Sequence, residues 1–218
     1  MYSVIVAVAD ENKFENVLLP SLEPVRGYLK ALGVSDLDIV VVRGKESLTK
    51  NYNEGMKRSR YKLKFFIHDD VDIMDKSGFL FFKIESYFHD DKNLGLLGLC
   101  GTTNYSEGWW WDAPKESLVG QVMVGGDINQ HWVFNIDKEF YPNVNLVDGQ
   151  FMVTDKDVPF SEDIKGFHLY DNDYSNTIRS KGYNIGVLTH LVRHEAYKKD
   201  LSGIDFEYYR TKWELHDV

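Results

Sequence analysis

The chain has 218 residues, enough for one large domain or two small ones. Its 43% hydrophobic and 14% aromatic content fills a core and excludes disorder, while a net charge of −9 argues against a nucleic-acid backbone or an anionic membrane as partner. The single cysteine, Cys100, excludes an internal disulfide and a cysteine zinc cage, and fits a reducing compartment.

The chain opens on "MYSVIVAVAD", which lacks the basic flank of a signal peptide. Its apolar run Val4–Ala9 reads as a buried first strand running into an acidic loop. A helix opens near Pro20, with Leu22, Val25, Leu29 and Leu32 on one face and Gly33 as its stop. Asp38–Val42 is a second buried strand. Residues 47 to about 60 form a helix with Ser47 as N-cap and Leu48, Tyr52 and Met56 on one stripe. Lys64–His68 is the third strand, Ser77–Phe88 another helix, and Leu94–Cys100 a fourth apolar run. Residues 102–146 are rich in Gly, Asn and Trp and predict short strands, one of them Val144–Val147 leading into Asp148-Gly149. A helix over about 171–181 stops at Gly182 and is followed by a strand, Asn184–Leu188. The tail, 200–218, is charged and aromatic, with helical character. No run reaches the roughly 18 apolar residues of a membrane span, so the expectation is a soluble, cytoplasmic protein without an integral membrane segment. No repeat or linker is visible, and the chain reads as one domain, 1–218.

Strands alternating with helices imply a Rossmann-like α/β sheet, mixed and mostly parallel, covered by helices on both faces. Ligands bind beyond the carboxyl ends of strands in such sheets. The stretch "KFFIHDDVDIM", 64–74, puts His68, Asp69, Asp70 and Asp72 at such an end. Like charges this close repel unless a positive partner sits among them. Magnesium or manganese binds through one or two carboxylates plus substrate phosphates, which makes Asp70 and Asp72 candidate ligands. The alternative is that the cluster caps the helix near Ser77. In "LYDNDYS", 169–175, Asp171 and Asp173 stand at a helix start, where the exposed amides favour negative charge; either one serves as a general base if it reaches the reacting hydroxyl. His190 and His194 follow a predicted strand. Of three consecutive tryptophans, 109–111, not all can face one core in an extended segment, and flat faces suit sugar rings; core and cleft both remain open.

In order and spacing, three segments resemble family-2 glycosyltransferases of the GT-A fold, in particular the prokaryotic subgroup typified by the streptomycin-biosynthesis glycosyltransferase-like domain. They are "NYNEGMKRSRYKLKFFIHDDVDI", "GWWW" followed by "LVGQV", and the run from "LVDGQFMVTD" to "THLVRHEA". The resemblance spans roughly residues 3–195. It implies transfer of a sugar, usually with inversion, from a nucleotide-diphosphate donor to a carbohydrate or other hydroxyl acceptor in bacterial polysaccharide-type biosynthesis. The DxD-like pair Asp70 and Asp72 would hold Mn2+ or Mg2+, with His194 completing the shell and His190 as second choice. Asn12, Asn53, His68 and Asp69 would lie against the donor. Asp171 occupies the position of the catalytic base, and Trp110, Trp111, Asp148 and Asp173 fall on the acceptor side. His68 stands where many members carry a further Asp. The donor half covers about 1–100, the acceptor half about 101–195, and a tail follows over 196–218.

A sugar nucleotidylyltransferase is disfavoured because "VADENKFEN" has no glycine-rich phosphate loop. A non-catalytic nucleotide-sugar or carbohydrate-binding module is the alternative of a different class. A metal-dependent phosphohydrolase would need more ligands than the sequence offers.

Overall fold

A computed structural model describes residues 1–33, 37–44, 46–125, 129–195 and 204–215. Strand β1 (Tyr2–Val8) is followed by Asp10, whose side chain accepts from the N–H groups of Asn12 and Lys13 and caps helix α1 (Glu11–Lys13). The helical path continues through a π-helical turn, Phe14–Leu18, into α2 (Leu19–Ala31). It therefore starts well before the proline that predicts its opening, because Asp10 supplies the cap. β2 (Leu37–Arg43) and α3 (Leu48–Arg58) follow, the latter capped as expected by Ser47. Next come β3 (Leu63–Ile67), the two-residue β4 (Val71–Asp72), α4 (Phe79–Asp90), β5 (Leu94–Gly98) and β6 (Cys100–Thr102). The second half holds β7 (Leu118–Val124), β8 (Gln130–Val133), β9 (Phe140–Pro142), β10 (Leu146–Val147), β11 (Phe151–Thr154), α5 (Tyr170–Ser180), β12 (Asn184–Leu188), β13 (Arg193–His194) and α6 (Phe206–Lys212). Of the expected helical tail, 200–203 and 216–218 lie outside the described residues.

The main sheet runs β2-β1-β3-β11-β5-β12-β9. β1 pairs in parallel with β2 and β3, and β5 with β12, while β11 lies antiparallel between β3 and β5 and β9 antiparallel at the edge. The sheet is mixed, as expected, with a larger antiparallel share than the alternation of elements suggests, because β11 is inserted at its centre. Three apolar residues and a threonine between "DGQ" and "DKD" are too short a run to announce a central strand. Period-two alternation splits the core. Tyr2, Val4, Phe65 and Phe151 face α2 and α4, while Ile5, Phe66 and Met152 face α3 and α5.

A second sheet, β10-β6-β7-β13-β4 with β8 on β7, joins the short strands β7, β8 and β10 of the Gly- and Trp-rich stretch to β4, β6 and β13 from outside it. It has a direct consequence for the site. β13 pairs with both β4 and β7, with His194 opposite Val71 and Val124, so a residue far along the chain is delivered to the carboxyl end of β3. No helix among the described residues is long and apolar enough to cross a membrane.

Candidate active site

β3 is buried over its whole length and ends at His68, beyond which the chain turns into β4. Asp69 and Asp70 are both 8% exposed, and their carboxylates diverge. Asp69 accepts the N–H groups of Ala9 and Asp10 at 2.7 and 2.8 Å and so fastens the end of β1. Burial raises its pKa, with those two hydrogen bonds opposing. Asp70 turns the other way: Oδ1 lies 3.1 Å from His194 Nε2, and Oδ2 accepts from Lys13 Nζ at 2.8 Å. Burial pushes Asp70 up, but the hydrogen bond and charge of His194, with help from His68 and Lys13, outweigh it and hold the carboxyl below its usual range. Lys13, itself 9% exposed, also donates to the carbonyl of Glu195 at 2.7 Å. A positive partner for the acidic cluster is therefore built into the chain.

His68 completes the group. Its Nδ1 is 3.4 Å from His194 Nε2 and its Nε2 is 2.5 Å from the Tyr170 hydroxyl. One donor atom each from His68, Asp70 and His194 lie within 4.8 Å of one another, the arrangement a divalent ion needs; among the described residues this is the one such group. Asp72, expected as a ligand, stands apart: its carboxylate pairs with Lys76, four residues on in the loop before α4. The two-residue step from the Asp70 turn into β4 leaves Asp72 on the strand beside Arg193, and His68 takes its place in the group. The helix-cap alternative falls to another residue, since Asp75 accepts the N–H groups of Ser77 and Leu80 at the start of α4. His190 faces the charge of Asp75, and its pKa is lowered mainly by burial.

The group opens onto a cavity of about 240 Å³ lined also by Asp148, Gln150, the three consecutive tryptophans, Trp132, the 167–169 segment, Tyr170 and Asp171. The tryptophans resolve through a 3-10 turn, Trp110–Asp112. Trp110, 1% exposed, turns into the core and donates Nε1–H to Asp148 Oδ2 at 3.0 Å. Trp109 and Trp111 stack on each other with centroids 4.9 Å apart and planes 8° from parallel. Core and cleft are both served.

Asp171 sits in the first turn of α5. Leu169 enters that helix at φ +58°, a left-handed conformation that costs a non-glycine residue about 1 kcal/mol or more. Its side chain, 3% exposed, is buried with Tyr209 and Leu215, which offsets the strain. The Asp171 carboxylate accepts the N–H groups of Gly149 and Asn172, each at 3.0 Å. Burial pushes its pKa up to about 7, and the neighbouring charge of Asp148 adds to the rise against those two hydrogen bonds. Asp148 is fixed by Trp110 and by the N–H of Gln150 at 2.8 Å.

Other expected residues lie off the cavity. Asp173, 1% exposed, faces the C-terminal segment, where Oδ1 meets Lys212 Nζ at 2.8 Å and Trp213 Nε1 at 2.9 Å. The α5 period turns it away from Asp171. Asn53 exchanges hydrogen bonds with the N–H and carbonyl of Phe160 at 2.8 and 2.9 Å and so clamps that segment against α3. Asn12, exposed, stays at the β1 end, its Oδ1 and carbonyl both accepting from Asn16. Sequence reasoning missed Lys13 and Tyr170. Nothing local marks the lysine, but the tyrosine is adjacent to Asp171 in the quoted motif.

An α/β sheet with helices on both faces and an acidic, aromatic crevice at the carboxyl ends of β1 and β3 defines a GT-A type fold. The chain belongs to the family described as glycosyltransferase-like, whose match covers residues 3–213; the finer prokaryotic subgroup is not resolved by it. No curated protein matches the chain significantly. Among solved structures it is similar to residues 1–349 of TarS from S. aureus, at 14% identity and a TM-score of 0.54 over 89% of this chain and 60% of that one. It is similar to GalNAc-T7 with UDP, GalNAc and Mn2+, at 9% identity and a TM-score of 0.59 over 98% and 48%. A third is the mannosyltransferase PcManGT from Pyrobaculum calidifontis with GDP-Man and Mn2+, at 10% identity and 0.54 over 96% and 59%. The chain spans about half to three fifths of these proteins, and at such identities the likeness establishes the fold.

Proposed function

We propose that this chain is an inverting glycosyltransferase that moves a sugar from a nucleotide-diphosphate donor to a hydroxyl acceptor. One observation carries the reading: an ion-binding trio and a carboxylate poised near neutrality open onto the same cavity. Family membership and neighbours solved with UDP-GlcNAc or GDP-Man support the donor class.

His68, Asp70 and His194 fit a divalent ion by chemistry as well as distance. Two imidazoles with one carboxylate favour a dication such as Mn2+ over Mg2+, which prefers oxygen alone. A bound ion would supply Lewis-acid neutralisation of the departing diphosphate. Lys13 adds a fixed positive charge on the same side. Asp171 is the base. As the acceptor oxygen bonds to the sugar carbon and the bond to the leaving phosphate oxygen breaks, the acceptor proton passes to the Asp171 carboxylate. The N–H groups of Gly149 and Asn172 hold that carboxylate in place. Trp109 and Trp111 offer apolar faces to a sugar ring, while Trp110, held by Asp148, packs edge-on against Trp111. We assign the donor to about 1–100, with Asn12 and Asp69 at the β1 end on its path, and the acceptor to about 101–195, all within one domain.

A thermal-shift screen of UDP-, GDP- and dTDP-sugars with and without Mn2+ tests this. One nucleotide class should raise the melting temperature, by an amount that grows with concentration over Kd, and only with Mn2+ present. Absence of any shift across the three classes would contradict it.

A further inference from the structure

We infer that Tyr170 is a positioning residue that orients the His68 imidazole and thereby ties the ion-binding trio to the segment carrying Asp171; the inference rests on the proposed function. Tyr170 is 3% exposed, its ring set against Tyr52 and Phe160 with centroids 5.8 and 6.5 Å away. Its hydroxyl is 2.5 Å from His68 Nε2. The opposite nitrogen, Nδ1, faces His194 Nε2 at 3.4 Å, toward the centre of the trio. An imidazole offers a lone pair to a cation from one nitrogen only when the other carries the proton. His68 can therefore ligate through Nδ1 only if Nε2–H donates, and the Tyr170 oxygen is the acceptor in place. In the other tautomer Tyr170 would donate to Nε2, the proton would sit on Nδ1 against His194, and the trio would lose a donor.

The hydroxyl's place is kept open by a glycine. A Cβ at Gly149 would overlap the Tyr170 hydroxyl and crowd the Asp171 Cβ at 3.0 Å. The same Gly149 donates its N–H to Asp171 Oδ2. One backbone position thus receives both consecutive side chains of the α5 first turn, one serving the ion ligand and the other the base. Rotation of His68 disturbs Tyr170, and with it the seat of Asp171.

The test uses the whole protein, Mn2+ alone and no donor. Tyr170→Phe keeps the ring and removes the acceptor. Loss of a group that orients a ligand typically weakens metal binding about 10–100-fold, so Mn2+ affinity measured by the EPR signal of free Mn2+ should fall at least tenfold. In a His68→Ala background the same change should have no further effect. Unaltered affinity in Tyr170→Phe, or an equal loss with and without His68, overturns the inference. Wild type that binds no Mn2+ overturns it together with the metal reading, whereas wild-type binding with an indifferent Tyr170→Phe overturns it alone. Long-range 1H–15N correlation on the wild type needs no variant: it should show His68 protonated on Nε2, and a proton on Nδ1 instead would refute the orientation.

Discussion

Replacing Asp171 by Asn separates stability from chemistry. The folded state holds the Asp171 proton up to about pH 7, against an ordinary value of 3.8. Between those values the folded state binds a proton that the unfolded chain has released. Wild-type stability therefore falls as pH rises through that window and levels off above about 7. At about 1.4 kcal/mol per pH unit the full effect at pH 8 is about 4 kcal/mol, an upper value because the carboxylate opens onto the cavity. Asn removes the charge but keeps one acceptor oxygen for two N–H donors, Gly149 and Asn172, at a cost of about 1 kcal/mol. The variant should be about 3 kcal/mol more stable than wild type at pH 8, and about 1 kcal/mol or less at pH 5. Urea denaturation in EDTA at both pH values reads the difference, and initial transfer rates should fall about 10²–10⁴-fold. A stability gap that is the same at both pH values, or transfer that persists in Asp171→Asn, refutes the reasoning.

The transfer rate of the wild type should rise about tenfold per pH unit below 7 and level off above it, as the base loses one proton; a flat profile from pH 5 to 8 would remove Asp171 from the role. Asp70→Ala removes the one carboxylate of the trio and should abolish Mn2+ binding by titration calorimetry, whereas Asp72→Ala, whose carboxylate pairs with Lys76, should leave it within about threefold. Lys13→Met frees Asp70 Oδ2 and should tighten Mn2+ binding in the absence of donor while weakening nucleoside-diphosphate binding; a loss of Mn2+ affinity would contradict that. Asp173→Ala removes the buried acceptor shared by Lys212 and Trp213 and should cost about 2 kcal/mol of stability in urea with the transfer rate nearly unchanged.

Local patterns carried much of the fold. Ser47 caps α3 as its type predicts, Gly182 at φ +83° stops α5, and Phe65 and Phe66, buried on opposite faces, mark β3 as an interior strand. Local patterns could not carry β11, whose four residues become a central strand only because β3 and β5 flank them. The site followed the same division. His68, Asp70, His194 and Asp171 were legible as candidates because strand ends and a helix start bring chemistry to one sheet edge. Which carboxylate enters the trio was not, since Asp70 and Asp72 differ only in how a two-residue strand turns them. Lys13 reaches Asp70 through the capping of α1 by Asp10, a tertiary arrangement with no spacing signal. The three tryptophans read as ambiguous in an extended segment; the 3-10 turn settles them by sending Trp110 inward and stacking Trp109 on Trp111.

The most direct test of glycosyl transfer is to count the nucleoside diphosphate released from UDP-, GDP- and dTDP-sugars over time, with water and a panel of sugars supplying the accepting hydroxyl, with Mn2+ or with EDTA, for wild type and Asp171→Asn. The account predicts release from one donor class that needs Mn2+ and drops at least about 100-fold in the variant. Donor that binds with Mn2+ yet releases no free nucleoside diphosphate would contradict it and make this chain a binding module of the same fold.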